Sequence, residues 1–457
     1  MSYTEVNVPA RTLLVTPGRI NAWLTNLPGQ GARARFGRWL LYALIALLPV
    51  HAGLVSVGYP SWWKEVVVWA ALLVSLTLPA RARLDRLDFL VVAYFAIVIV
   101  SAVVHRVTNF ADLSPYFVYV PLAIIVPRVL VTSNDVAILV EVAIGALLLN
   151  AAWMGTAHVG IINVPNLLLV DGPHWNSTGS LTGDALTTAT LYGVAAGVAW
   201  VGAAVSRRHV TNALLGLALT AAGAMTGSRA ALVASALGLF IALTLTAARL
   251  RSERFIGPLL IFGCVCFAIA AIVVGQHALK ANDPIRVSRW EATIQLAIHN
   301  PLLGAGPGAT GQARVERELG LAPNSTLSDN LVGTRVSESS VLKVAAEVGF
   351  PAFLLISAWL LLVLIRAGVL RPISLYGRPY DFVGPALVIL TIVNGLTVQN
   401  MESFVGATLF WLGIGLCRAR WTAAEHDSIQ VPALADLGWM SLLDRTRRRI
   451  LKPSSTP

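Results

Sequence analysis

The sequence predicts an all-α, polytopic membrane protein with about twelve transmembrane helices. Two kinds of observation carry that reading. The 457 residues are 56% hydrophobic and only 12% charged, about half the charged fraction of a soluble domain, and mean hydropathy is +0.71. Apolar runs of the length needed to cross a bilayer, about 20 residues, recur along the chain, and Lys and Arg gather in alternate loops between them. A stack of soluble domains is excluded.

Twelve runs begin near Trp39, Val66, Phe89, Tyr116, Val136, Ala185, Thr211, Arg229, Phe255, Val341, Phe382 and Ser403. The second is short, and only Thr226-Gly227-Ser228 separates the seventh from the eighth. Ala and Gly are frequent within the runs, as expected where membrane helices approach closely. Residues 1–38 form a polar, basic leader with no short apolar segment and small-residue cleavage site, so no secretory signal peptide is expected. Spans one to nine occupy 39–275, a large loop 276–340, spans ten to twelve 341–419, and a basic tail 420–457. Cys264, Cys266 and Cys417 all lie in apolar runs, which argues against a disulfide framework or a zinc site.

The net charge of +11 would suggest nucleic acid in a soluble chain. Here topology accounts for most of it. Twenty-four of the 34 Lys and Arg fall in one set of loops and the two ends: Arg11, Arg19, Arg33 to Arg38, Arg81 to Arg86, Arg128, Arg207 and Arg208, Arg249 to Arg254, Arg366 to Arg378, and the tail from Arg418 to Lys452. The other ten are Lys64, Arg106, Arg229, Lys280, Arg286, Arg289, Arg314, Arg317, Arg335 and Lys343. The positive-inside rule then places both termini in the cytoplasm. No nucleic-acid partner is expected. The tail runs from Leu434, Trp439 and Leu443 into Arg445 to Lys452, which reads as an interfacial helix on anionic lipid.

Residues 276–340 form the largest outside loop. In it Trp290, Ile294, Ala297 and Ile298 recur at helical spacing and predict a short amphipathic helix at the membrane surface. Pro301 and Gly304-Ala305-Gly306-Pro307-Gly308 end it, and a second helical stretch is expected from Ala309 to Leu321. The polar run from Asn324 to Asp329 reads as flexible.

Outside-facing positive residues oppose the topological bias and need an account. Arg229 opens an apolar run at the membrane's outer edge, where an arginine either marks a polar site or reaches to headgroups. Arg286 and Arg289 stand three apart on the predicted surface helix, hence on one face. Their guanidinium groups match phosphate oxygens bidentately, so they suit a lipid-linked pyrophosphate, or headgroups. Glu338 lies just before the tenth span. It can serve as a general base on a hydroxyl, or simply favour a helix N-terminus. Glu347, over two turns deeper, is expected to pair within the bundle, and Glu141 to be a structural hydrogen-bonding group. The glycines from 304 to 311 lack the βαβ context of a dinucleotide site and read as a loop. The eight histidines are scattered, and no spacing points to a metal or another cofactor.

Three stretches resemble the O-antigen ligase and Wzy-type polysaccharide polymerase superfamily of bacterial membrane glycosyltransferases. They are Thr226-Gly227-Ser228-Arg229-Ala230-Ala231-Leu232; Arg286-x-x-x-Trp290 followed by His299-Asn300-Pro301-Leu302-Leu303-Gly304-Ala305-Gly306-Pro307-Gly308; and Glu338-Ser339-Ser340-x-Leu342 with Ala346-Glu347-Val348-Gly349-Phe350-Pro351. Order and spacing agree over roughly residues 180–365. The resemblance implies a GT-C-like fold in the bacterial inner membrane and an inverting, metal-independent transfer of glycan from undecaprenyl pyrophosphate at the extracytoplasmic face. Arg229 and Arg286 would hold the pyrophosphate, with Arg289 a weaker addition. The implied partners are a lipid-linked donor, a glycan acceptor, membrane lipids and other polysaccharide-assembly proteins. The ligases carry His, then Asn, Ser or Gln, then nine residues, then Gly. Counting back from Gly349 puts that His at Glu338. The departure favours a polymerase-like member with Glu338 as catalytic base, the alternative being a ligase that moves finished glycan to lipid A core or another acceptor. A transporter or flippase fits twelve spans numerically, but paired Gly/Pro-interrupted half-helices are not seen.

Overall fold

A computed structural model describes residues 31–78, 88–130, 132–159, 161, 180–182, 185–206, 208–249, 284–311, 314–315, 337, 339–367, 380–397 and 403–426. Among these the protein is all-α. The first helix, α1 (Ala32–Leu47), continues through a 3₁₀ turn (Leu48–Val50) into α2 (His51–Ser56); α3 (Trp63–Leu76) and α4 (Asp88–Val104) follow. A broken pair, α5 (Phe110–Phe117) and α6 (Leu122–Val129), precedes the long α7 (Ser133–His158). Then come α8 (Ala185–Val205), α9 (His209–Met225), α10 (Arg229–Arg249) and α11 (Pro284–His299). The chain ends in α12 (Ser340–Arg366), α13 (Val383–Thr397) and α14 (Phe404–His426).

The chain is a multi-pass membrane protein, but the expected count of about twelve crossing helices needs correction. Five segments among the described residues are long and apolar enough to cross: Ala32–Ser56, Asp112–Val129, Asn134–Ala157, Leu186–Val205 and Ser340–Arg366. Asp88–Val104, His209–Met225, Ala230–Thr246, Val383–Leu396 and Phe404–Ala419 are apolar but shorter. The runs near Phe89, Thr211, Arg229, Phe382 and Ser403 do form helices, but their apolar stretches are each shorter than 18 residues among those described. The ninth run, near Phe255, lies outside the described residues, as does most of the stretch from Ala309 to Leu321. Within 276–340, α11 is the one complete helix among the described residues.

The helices are apolar on nearly every side, the mark of burial in protein or lipid. Leu41, Leu122, Ile125, Tyr192, Leu390 and Ile414 are buried in the main core, while Phe89, Leu149 and Leu354 are more than 60% exposed. Small residues bring α8 and α10 together. A Cβ on Gly193 would stand 2.7 Å from the Cα of Ala231, one on Gly197 would meet the Ala234 carbonyl at 2.9 Å, and one on Gly238 would overlap the Gly197 backbone. This backbone-to-backbone approach is what small residues permit in membrane bundles.

Two ion pairs lock the end of the bundle that holds the cytoplasm-assigned arginines. Arg38 Nη1 donates to Asp135 Oδ1 at 2.7 Å, with both groups buried. Asp135 also closes a capping box with Thr132 at the start of α7. Arg418 donates bidentately to Asp88 at 2.6 and 2.9 Å, tying α14 to α4. Both arginines therefore hold helices together as well as following the charge bias.

Gly238→Val should force α8 and α10 apart, at a cost of about 1–3 kcal/mol or more from overpacking. Thermal unfolding of the detergent-solubilised protein checks this; an unchanged midpoint contradicts the close approach.

Candidate active site

The site grows from a defect in α12. Gly349 has φ 87° and ψ 167°, outside the helical region, and Pro351 follows two residues later. Pro351 has no N–H, so the Glu347 carbonyl loses its helical partner four residues on. The Phe350 N–H is diverted to the Pro301 carbonyl at 2.9 Å, which also frees the carbonyl of Ala346. The chain from 301 to 311 moves into the gap. Ala305 N–H donates to Ala346 O at 2.8 Å and Gly306 N–H to Glu347 O at 3.0 Å. Ser101 of α4 donates to Leu303 O at 2.7 Å and to Glu347 O at 3.3 Å.

The glycines of this loop are required by its shape. Gly304, Gly306 and Gly308 all have positive φ, at 65°, 93° and 80°, a region open to Gly at no steric cost. A Cβ on Gly306 would meet His105 Cβ at 2.7 Å, and one on Gly308 would meet Asp112 Cβ at 2.6 Å.

The fully buried Glu347 carboxylate fixes the loop. It accepts from Gly308 N–H at 2.7 Å, from Thr310 N–H and Oγ1 at 2.8 Å each, and from the Tyr116 hydroxyl at 2.6 Å. Lys343 Nζ, one turn earlier on α12, lies 3.1 Å away. One carboxylate therefore joins α5, α12 and the glycine loop.

Hydrogen bonds continue from this loop to the starts of two helices. Thr310 O accepts from Ser337 N–H at 3.1 Å. Ser339 caps α12 by accepting from Leu342 N–H, and its hydroxyl donates to Gly395 O at 3.3 Å. The neighbouring Asn394 donates to Ala230 O at 3.2 Å and accepts from the Thr190 hydroxyl at 3.0 Å. The last turn of α13 thus fastens α8, α10 and the entry to α12 at one end of the bundle.

The sequence-predicted residues fall around this framework. Glu338 lies outside the described residues, between the buried Ser337 and Ser339. Arg229 is the first residue of α10, and Arg286 is in the first turn of α11; what is described of both is the backbone. Arg289 is half-buried one turn further on. The α13 turn brings the start of Arg229's helix to Ser339. Arg286 and Arg289 stand instead toward the N-terminus of α11, whose described anchor is Ala297 against Ala345 and Ala346 of α12, roughly 16 Å further along the Arg286 helix axis. The amphipathic helix forms, but its predicted apolar set divides: Ala297 faces protein, while Trp290, Ile294 and Ile298 are 38, 42 and 55% exposed.

Glu347 does pair within the bundle, although the loop it holds is not legible from spacing. Ser101, Tyr116, Thr190 and Asn394 carry no sequence signal, being isolated polar residues in apolar runs. The signal for Glu347 was Pro351, four residues on. Among the described residues, no three His, Cys, Asp or Glu cluster so as to hold a metal.

The bundle and its end-on polar framework define an all-α membrane protein with a site built between helix starts. Residues 213–357 match the family model described as O-antigen ligase. That stretch runs from within α9 into α12 and includes Arg229, Arg286, Arg289, Glu338 and Glu347. No curated protein matches the chain.

Glu347→Gln would place an amide N–H₂ among donors and remove the carboxylate that pairs with Lys343. Breaking a buried pair costs about 3–5 kcal/mol. Hydrogen exchange at the Gly308 and Thr310 amides should quicken by tenfold or more; unchanged protection would refute the anchoring role.

Proposed function

We propose that the protein is a bacterial inner-membrane glycosyltransferase that moves glycan from a lipid pyrophosphate carrier, undecaprenyl pyrophosphate, to an acceptor hydroxyl at the extracytoplasmic face. The match over residues 213–357 carries this reading, because it spans every residue the chemistry calls on. The proposed frame is a multi-pass, GT-C-like arrangement with both termini in the cytoplasm. Its large extracytoplasmic loop occupies 276–340, and its basic tail 420–457.

In the proposed reaction the acceptor oxygen attacks the anomeric carbon and the bond from that carbon to the pyrophosphate oxygen breaks, with inversion. Glu338 takes the acceptor's proton. Arg229 and Arg286, aided by Arg289, stabilise the charge that builds on the departing lipid pyrophosphate. Pyrophosphate leaves as a stable anion, so no general acid is needed.

The description of the matched family favours a ligase, which transfers finished glycan to a different acceptor, over a polymerase. One observation keeps the polymerase reading: Glu338 stands where the resemblance to ligases calls for His. Glycan length separates them. Deleting a ligase leaves full-length chains on the carrier, and deleting a polymerase leaves single repeats.

Glu338→Gln and Arg286→Ala should each lower glycan transfer in membranes by about 10²-fold or more, the usual worth of a positioned base or charge-stabilising donor. Normal transfer by both variants would sink the mechanism.

A further inference from the structure

Two adjacent residues in the last turn of α13 bond to two separate parts of the proposed site. The fully buried Asn394 side chain donates from Nδ2 to Ala230 O at 3.2 Å, and its Oδ1 accepts from the Thr190 hydroxyl at 3.0 Å. The Gly395 carbonyl, next along, accepts from Ser339 Oγ at 3.3 Å. Ala230 follows Arg229 in the chain, and Ser339 follows Glu338. The proposed base and a proposed charge-stabilising arginine are thus each one residue from a bond to the same dipeptide, whose α-carbons are about 3.8 Å apart.

Helix ends explain why the bonds fall here. Gly395 lies near the C-terminus of α13, where carbonyls have no helical partner, and the Ser339 hydroxyl supplies one. The same hydroxyl caps α12 by accepting from Leu342 N–H. Ala230 is in the first turn of α10, and a helical carbonyl keeps a second lone pair for a side-chain donor. A carbonyl only accepts, so the amide nitrogen must face Ala230 and the amide oxygen Thr190.

Cohesion of α8 with α10 does not call for this amide. Gly193 and Gly197 already bring the two backbones together. Deeper in the same helices Trp200 donates to Ser235 at 3.2 Å, and the Ser235 and Thr220 hydroxyls lie 2.6 Å apart. One more polar bond between membrane helices adds only about 0.6 kcal/mol on average. What Asn394 adds is a link from the start of α10 through α13 to Ser339. Such a link matters to catalysis, because a misplacement of about 1 Å can cost 10²-fold in rate.

We propose that Asn394 is a positioning residue for glycosyl transfer, holding the start of Arg229's helix in register with the chain at Glu338. The inference rests on the transfer reading above and adds what sets the spacing between base and arginine.

The test measures transfer by the full chain in nanodiscs with lipid-linked donor and a titrated acceptor. Asn394→Leu keeps the size of the side chain and removes both bonds. It should lower kcat by about tenfold or more and leave both KM values within about threefold, since alignment counts chiefly in the transition state. Thr190→Val leaves the bond to Ala230 but removes the donor that orients the amide, and should lower kcat by about threefold. Thr220→Val loosens the same helices about 9 Å along α10 from Arg229; it should lower the thermal midpoint while kcat stays unchanged. In a Glu338→Gln background Asn394→Leu should cost less than about threefold, because no base remains to be aligned. An unchanged kcat in Asn394→Leu, an equal loss in Thr220→Val, or the full loss without Glu338 overturns the proposal. Should Asn394→Leu fail to fold, Thr190→Val carries the same comparisons. Absence of transfer by the wild-type chain refutes the reaction and this role together, whereas transfer that survives Asn394→Leu refutes the role alone.

Discussion

The candidate active site depends on a single carboxylate. Removing Glu347 from water costs several kcal/mol before its partners are counted. The cost is offset because donors surround both oxygens: two backbone N–H groups, two hydroxyls and the Lys343 ammonium. In a low-dielectric interior a satisfied network of this kind specifies one arrangement, and a half-satisfied one is worse than none. The glycine loop therefore has one seat, set by the side chain of the residue whose own carbonyl Pro351 leaves without its helical partner.

That arrangement explains why α12 is kinked rather than straight. A straight helix would satisfy its own carbonyls and offer the loop nothing. With the kink, Ala346 and Glu347 present carbonyls to Ala305 and Gly306, and Pro301 receives Phe350 in exchange. The exchange passes outward through Thr310 and Ser337 to the cap at Ser339, so the geometry around the proposed base is referred back to Glu347. Tyr116 and Ser101 extend the same frame to α5 and α4. A substrate that pulled on the helix starts would work against several packed helices rather than a free loop.

How much of this was legible in the sequence differs residue by residue. Hydropathy located the helices because lipid exposure leaves apolar residues on every side, as at Phe89 and Leu354. It overcounted crossing segments, because an apolar run can fold into a helix too short to cross, as at Val383–Leu396. The periodicity that marked α11 was sound, but it assigned Ala297 to the lipid face when a small residue is what lets α11 lie against Ala345. Gly304 to Gly308 announced a loop and hid its destination, which depends on contacts some 40 residues away in sequence. Asn394 was invisible for a similar reason: one amide in an apolar run becomes meaningful only when α8 and α10 are known to flank it.

The structure also narrows which charges remain for chemistry. Of the ten positive residues assigned outside, Lys343 is occupied with Glu347, Lys64 with Glu65, and Arg314 donates to the Pro307 carbonyl within the glycine loop. At the opposite end Arg38 and Arg418 are tied to aspartates. Ion pairs thus account for several positive residues that the charge count alone would leave equivalent. The two described lysines of that set are held by carboxylates, whereas the residues proposed to meet pyrophosphate are arginines, whose planar donors suit a bidentate oxyanion. The net charge of +11 accordingly divides into topological anchors, structural ion pairs and a small remainder. Arg229 opens α10, whose start is fastened by Asn394 beside the Ser339 cap.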